Sequence, residues 1–168
     1  LTSEKRYSIS DNTKKLFKKL DTDLSVVIYL DGDLNSGFLR LKKSTTEMLD
    51  EFCVYGGRKL SYSFVNPSIA SSDKDRIKNY EALEKRGLRA TVVYDKDSEG
   101  QSIQKVIFPW AQIISGKDTI NVNLLKNIPG NSGDENLNIS IENLEFELTD
   151  AVRIITNKFV QKIAFIEG

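Results

Sequence analysis

Two carboxylates, Asp31 and Asp33, close the first apolar run of the chain, LSVVIYLDGD. An acid pair at the C-terminal end of a strand, beside a loop and a helix start, is a place where carboxylates do acid–base work or hold a cation. Loops also collect Asp for turn geometry alone, which is the competing reading. A second acidic stretch, Asp95, Asp97, Glu99 and Gly100, has half the character of a calcium loop. The DxDxDG spacing and the later bidentate Glu are missing, so a hairpin turn accounts for it better. Cys53 lies beside Phe52 in a helical apolar stripe and reads as a small buried apolar residue. The 168 residues include no His and one Cys. That composition excludes Ser-His-Asp and Cys-His nucleophilic sites, His-based metal sites, CxxC redox chemistry and an intrachain disulfide. Carboxylate, Lys or Tyr chemistry stays open. Gly32, Gly37, Gly56 and Gly57 form neither GxGxxG nor GxxxxGK[ST], so no phosphate-binding loop is recognised.

Lys+Arg and Asp+Glu both count 24, and the formal net charge is zero. A strongly basic polyanion binder is therefore not the first expectation, and basic and aromatic residues do not interleave as on a nucleic-acid face. At 39% apolar residues the chain can build a core, and its length allows one domain or one domain plus a piece of another. Residues 1–22 hold six basic residues against three acids, a local +3. Ser10 suits an N-cap, and Leu16, Phe17 and Leu20 share one side of the short helix it would start. The segment reads either as a solvated helix with one sticky stripe or as a juxtamembrane helix near anionic head groups.

These residues need elements to position them. Leu24–Asp31 reads as a buried strand, 32–37 as a loop, and Phe38–Tyr55 as a helix with apolar residues at three and four, ended by Gly56-Gly57. Lys59–Asn66 alternates as a strand, so a βαβ unit with parallel strands is expected. Ser72 or Asp73 would cap a helix over about 75–86, stopped by Gly87. Residues 90–125 read as an antiparallel meander bent at Pro109, which cannot donate to a sheet ladder. Residues 127–138 are the best linker. A long helix over 139–157 follows, with Ile141, Leu144, Leu148, Val152 and Ile155 as its stripe. Val160–Glu167 is expected to be a strand that opens a following domain, which makes the chain read as a fragment.

Several ordered stretches together resemble the gliding-associated ABC-transporter auxiliary family (GldG). They are KRYSIS at 5–10 leading into TKKLFKKL, VVIYLDGDLNSGFLRLKKSTTEMLDEF at 26–52, FVNP at 64–67, VIFPWA at 106–111, VNLLKN at 122–127 and SIENLEFEL at 140–148, with KIAFIEG at 162–168 like the opening of the family's next domain. The resemblance implies a membrane-anchored subunit, with a transmembrane helix just before Leu1 and more beyond the chain. It places this part on the periplasmic face of the inner membrane, working with ABC permease and ATPase subunits. It supplies no catalytic, metal or cofactor residue.

The expectation is thus an α/β chain with a thioredoxin-like three-layer α/β/α sheet (βαβα, then antiparallel strands) and a long C-terminal connecting helix. Residues 1–22 would be a membrane-proximal basic helix, 23–127 the thioredoxin-like domain, and 128–168 the linker, connecting helix and first strand of a following domain. The expected role is non-catalytic protein–protein contact in a transporter, with no cofactor and no nucleic acid. Candidate contact residues are Phe108 and Trp110, flanking the Pro109 bend, and Phe146 and Ile154, which lie off the stripe of the long helix. The competing role is capture of a solute or glycan by the 32–38 loop and the Phe108–Trp110 bend.

Overall fold

The computed structural model describes residues 8–167, with side chains as far as Asn157. The expectations at Lys5 and Arg6 lie outside the described residues. The central element is β1 (Leu24–Ile28), which pairs in parallel with β2 (Leu60–Phe64) and antiparallel with β5 (Trp110–Ser115). β6 (Asp118–Asn123) adds antiparallel to β5, giving a mixed sheet of order β2-β1-β5-β6. The fold is mixed α/β.

Alternation along β1 sends its residues to two cores. Leu24, Val26 and Ile28 join the larger core beneath α1 (Asp11–Lys18), α2 (Ser36–Gly56), α4 (Gly133–Glu142) and α5 (Leu144–Glu167). Tyr29, with Val27 beside it, joins a smaller core of Leu83, Leu88 and Phe108 under α3 (Asp73–Lys85). Helices therefore cover both faces of the sheet. The side chain of Asn35 caps α2 by accepting from the Phe38 amide at 3.0 Å, and the helix ends where Gly57 takes φ +58°. At the other end of the α2 stripe, Phe52 stacks on Phe17 of α1 with ring centroids 4.4 Å apart.

The expected meander divides in two. β3 (Thr91–Lys96) and β4 (Ser102–Ile107) pair only with each other, as a separate two-stranded sheet. The break is at Phe108-Pro109, where Pro109 has no amide to donate and its carbonyl instead accepts from the Leu124 amide at 2.8 Å.

Beyond residue 126 three expectations are corrected. The linker at 127–138 already contains α4, because Ser132 and Glu135 form a reciprocal capping box. The single helix at 139–157 is two helices, since Asn143 caps α4 and its side chain donates back to the Ile139 carbonyl at 2.8 Å. The strand at Val160–Glu167 is the continuation of α5. No Gly, Pro or turn cluster interrupts 157–160, and Val160, Ile163, Ala164 and Phe165 are spaced as compatibly with a helix as with a strand.

α1 has only eight residues, too few to hold a helix alone. Its first turn is closed from far away. The carboxylate of Glu145 on α5 accepts from the Ser10 amide at 3.1 Å and from the Thr13 hydroxyl at 2.6 Å. Beneath, Lys14 and Lys18 lie over the Tyr55 ring at 5.8 and 5.4 Å. Burial alone would raise the Glu145 pKa, but the hydrogen bonds from Thr13 and Ser10 outweigh it and hold it below the ordinary 4.5. A carboxyl whose pKa is depressed by folding stabilises fully above its unfolded value and loses that contribution as the pH falls through the folded one. Glu145→Gln should therefore cost about 1 kcal/mol at pH 7. The gap to the parent chain in urea unfolding should stay level down to about pH 5 and narrow below 4.5.

Candidate functional site

Outside the C-terminal ends of the parallel strands β1 and β2 the chain forms a cleft of about 410 Å³. Open α/β sheets bind ligands at this end of their strands, where the connections diverge. Five parts of the chain build it. The loop after β1 contributes Asp31 and Asp33, and the loop after β2 contributes Asn66, Pro67 and Ser68. Arg76 and Tyr80 come from α3, Gln104, Lys105 and Val106 from β4, and Phe108 from the bend before β5.

Local chemistry fixes these loops. Gly32 turns the chain with φ +103°, a conformation that side-chain-bearing residues rarely take. A Cβ there would lie 2.6 Å from Asn66 Oδ1. That oxygen cannot easily retreat, because it accepts from the Ser68 amide at 2.9 Å and from the Ser68 hydroxyl at 2.6 Å. The two strand-end loops are thus fitted against each other, and Pro67 is buried beneath them.

The charges in and around the cleft are paired. Asp31 takes Lys42 of α2, and Arg76 takes Asp73 within α3. Lys105, only 13% exposed, bridges Asp33 and Asp95 at 3.2 Å each and so ties the β3–β4 hairpin to the β1 loop. Burial would lower the Lys105 pKa, but hydrogen bonds to both carboxylates outweigh it and hold the ammonium above its ordinary value. The Lys96 amide and Lys105 hold Asp95 below the usual carboxylate range.

Elsewhere the shifts run the same way. Burial, helped by the charge of Asp50, pushes the Cys53 thiol up. Tyr62 donates to Asp50 and is pushed up to about 12, chiefly by that bond. With Glu145, every resolved shift moves its group away from neutrality.

The structure sorts the expected site residues. Asp31 and Asp33 do lie in one cleft, but each carboxylate has its own lysine rather than sharing a proton or ion. Among the described residues, no group of three or more Cys, Asp or Glu is gathered to hold a metal. The 95–100 stretch is a hairpin turn, in which Asp97 Oδ1 accepts from the amides of Glu99 at 2.9 Å and Gln101 at 2.8 Å, and Gly100 takes φ +83°. Cys53 is half-buried, its thiol 3.7 Å from the Leu60 carbonyl. Phe108 is 1% exposed, so as a partner-contact residue it is corrected; its ring packs 5.3 Å from Tyr80 behind the cleft. Trp110 is half-buried and donates its indole N–H to the Arg89 carbonyl at 2.8 Å. Phe146 and Ile154 are exposed on α5, at 60% and 42%, and take no part in the cleft.

Asn66, Arg76, Tyr80, Gln104 and Lys105 were not singled out by sequence. The FVNP stretch carried one usable signal, an Asn-Pro step directly after a parallel strand. Residues on α3 and β4 carried none, because their place in the cleft comes from tertiary packing.

A family model described as a domain of unknown function, DUF7088, matches residues 3–114, which is more than half of the chain and ends inside β5. No curated protein and no solved structure matches.

The fit of Gly32 against Asn66 can be tested. Gly32→Ala should destabilise the chain by about 1–3 kcal/mol in urea unfolding. In an Asn66→Ala background, which by itself loses the two hydrogen bonds to Ser68, the same Gly32→Ala change should cost less than in the parent, because the contact is already gone and only the positive φ remains.

Proposed function

The chain belongs to the DUF7088 family of domains of unknown function, and on that premise we propose that it is the non-catalytic auxiliary domain of an ABC transporter of the gliding-associated, GldG type. In this reading it is thioredoxin-like. The sheet order β2-β1-β5-β6, with the first two strands parallel and helices on both faces, supports that name, and the β3–β4 hairpin is then an insertion. It works on the periplasmic face of the inner membrane, anchored by segments outside these residues, in contact with permease and ATPase subunits. No helix among the described residues is long and apolar enough to cross a membrane.

The observation that carries the proposal is the outer face of α5. Its inner residues Leu144, Leu148, Val152 and Ile155 are buried to 2% exposure or less. Phe146 and Ile154 stand out on the other side among Asp150, Arg153 and Asn157. Two large apolar side chains about 12 Å apart along a polar face can anchor a partner. The absence of His, the paired carboxylates and the shifts away from neutrality support contact rather than proton transfer. α5 is also the helix that clamps α1, so a push on its outer face would reach the N-terminal segment through Glu145.

The test is affinity capture of the full-length protein in mild detergent, which should recover a permease and an ATPase. Phe146→Ser with Ile154→Ser should lower that recovery at least several-fold while the thermal midpoint stays within about 2 °C, as exposed positions allow. Undiminished recovery would remove α5 as the contact. A large fall in the midpoint would make the two residues part of the core.

A further inference from the structure

We infer that the cleft between the β1 and β2 loops, α3 and β4 binds a neutral, hydroxyl-rich ligand, a mono- or disaccharide. The argument is one of elimination by pairing. The lining residues carry two carboxylates, Asp31 and Asp33, and two cations, Arg76 and Lys105. All four already have a partner of opposite charge. A charged ligand would have to compete with these partners for the group it approaches, whereas a neutral one would not.

The polar lining side chains that belong to no ion pair are neutral. Asn66 spends its carbonyl oxygen on Ser68, which leaves its amide N–H₂ to donate. The Gln104 amide and the Tyr80 hydroxyl make no hydrogen bond among the described residues. The cleft thus offers donors and acceptors from three of its elements, which suits a ligand with several hydroxyls, since each of them both gives and takes a hydrogen bond. The half-buried Tyr80 ring, backed by Phe108, adds an apolar surface of the kind a sugar ring's C–H face rests on. The volume falls in the ~300–1,000 Å³ range of small-molecule sites. The Gly32–Asn66 fit and the Lys105 bridge set the walls before any ligand arrives, so little ordering cost opposes binding.

None of these residues lies on α5, so the inference stands or falls separately from the transporter reading. The experiment is a backbone-amide NMR titration of the 168-residue chain with maltose, cellobiose and N-acetylglucosamine, run against inorganic phosphate and spermidine. The expected result is a saturable shift at residues 66–68 and 104–106 with at least one sugar. Gln104→Ala, a solvent-exposed change, and Tyr80→Phe should each weaken it by about fivefold, while the rest of the spectrum stays in place. No saturable shift with any of the three sugars would overturn the inference. So would saturation at these residues by phosphate or spermidine alone, or sugar shifts that both variants leave unchanged.

Discussion

A five-residue strand covered on both faces sets the positions of everything else in this chain. β1 has a hydrogen-bonded neighbour on each edge and a core on each side, so its backbone is paired on both edges and its apolar side chains are packed, with Ser25 alone exposed. Its period of two divides Val26 and Ile28 from Val27 and Tyr29, and that division decides which helices lie above the sheet and which below. The polar layer under α3 depends on the same register. Tyr29 donates to buried Gln112 of β5 at 3.0 Å, and the Arg86 guanidinium reaches both oxygens at 3.2 and 3.3 Å. A slip of one residue would turn the Tyr29 hydroxyl into the apolar core and leave Gln112 without it, a cost that protects the register.

The same strand ends in the cleft, and its ending explains the cleft's electrostatics. A loop that follows a parallel strand must turn sharply, and Asp31-Gly32-Asp33 does so at the cost of bringing two acids together. Lys42 and Lys105 answer them one each, from elements far apart in the chain. Lys105 serves both structure and surface, because its second carboxylate, Asp95, belongs to the opposite strand of its own hairpin. A separate two-stranded sheet has little burial to hold it, and this bridge fastens it over the strand ends. The result is a recess in which every charged residue has an ion-pair partner and the remaining polar side chains without one are neutral.

Much of the first half was legible in sequence because its signals are local. The β1-α2-β2 unit follows from an apolar run, a three-and-four stripe and an alternating run, each with its cap or Gly stop nearby. The second half was harder for physical reasons. The stripe Ile141, Leu144, Leu148, Val152, Ile155 runs through Asn143 without a change of period, so nothing in the apolar pattern marks where α4 becomes α5. The run from Ile163 to Ile166 is apolar at consecutive positions, and such runs do not separate strand from helix. Asp31 and Asp33 were visible as candidates, whereas their counterpart Lys105 lies 72 residues from Asp33 and its burial exists only in the folded chain. Glu145 reads as one acid among many until it is found capping a helix 135 residues earlier.

That long-range cap has a mechanical consequence. α1 is short and basic, and its solvent side is polar, so it keeps its place through the Phe17–Phe52 stack and the Glu145 clamp rather than through its own propensity. The first grips α2 and the second grips α5, and both helices rest on the same face of the sheet. The segment entering through α1 and the helix α5 are therefore parts of one packed layer. Under the transporter reading, force applied to one would pass to the other through a carboxylate and an aromatic pair, without any change in the sheet. The cleft sits outside that route, at the strand ends, held by Gly32, Asn66 and Lys105. One chain can thus carry load through its helical layer and keep a fixed recess at its sheet edge, because no side chain that forms the clamp also lines the recess.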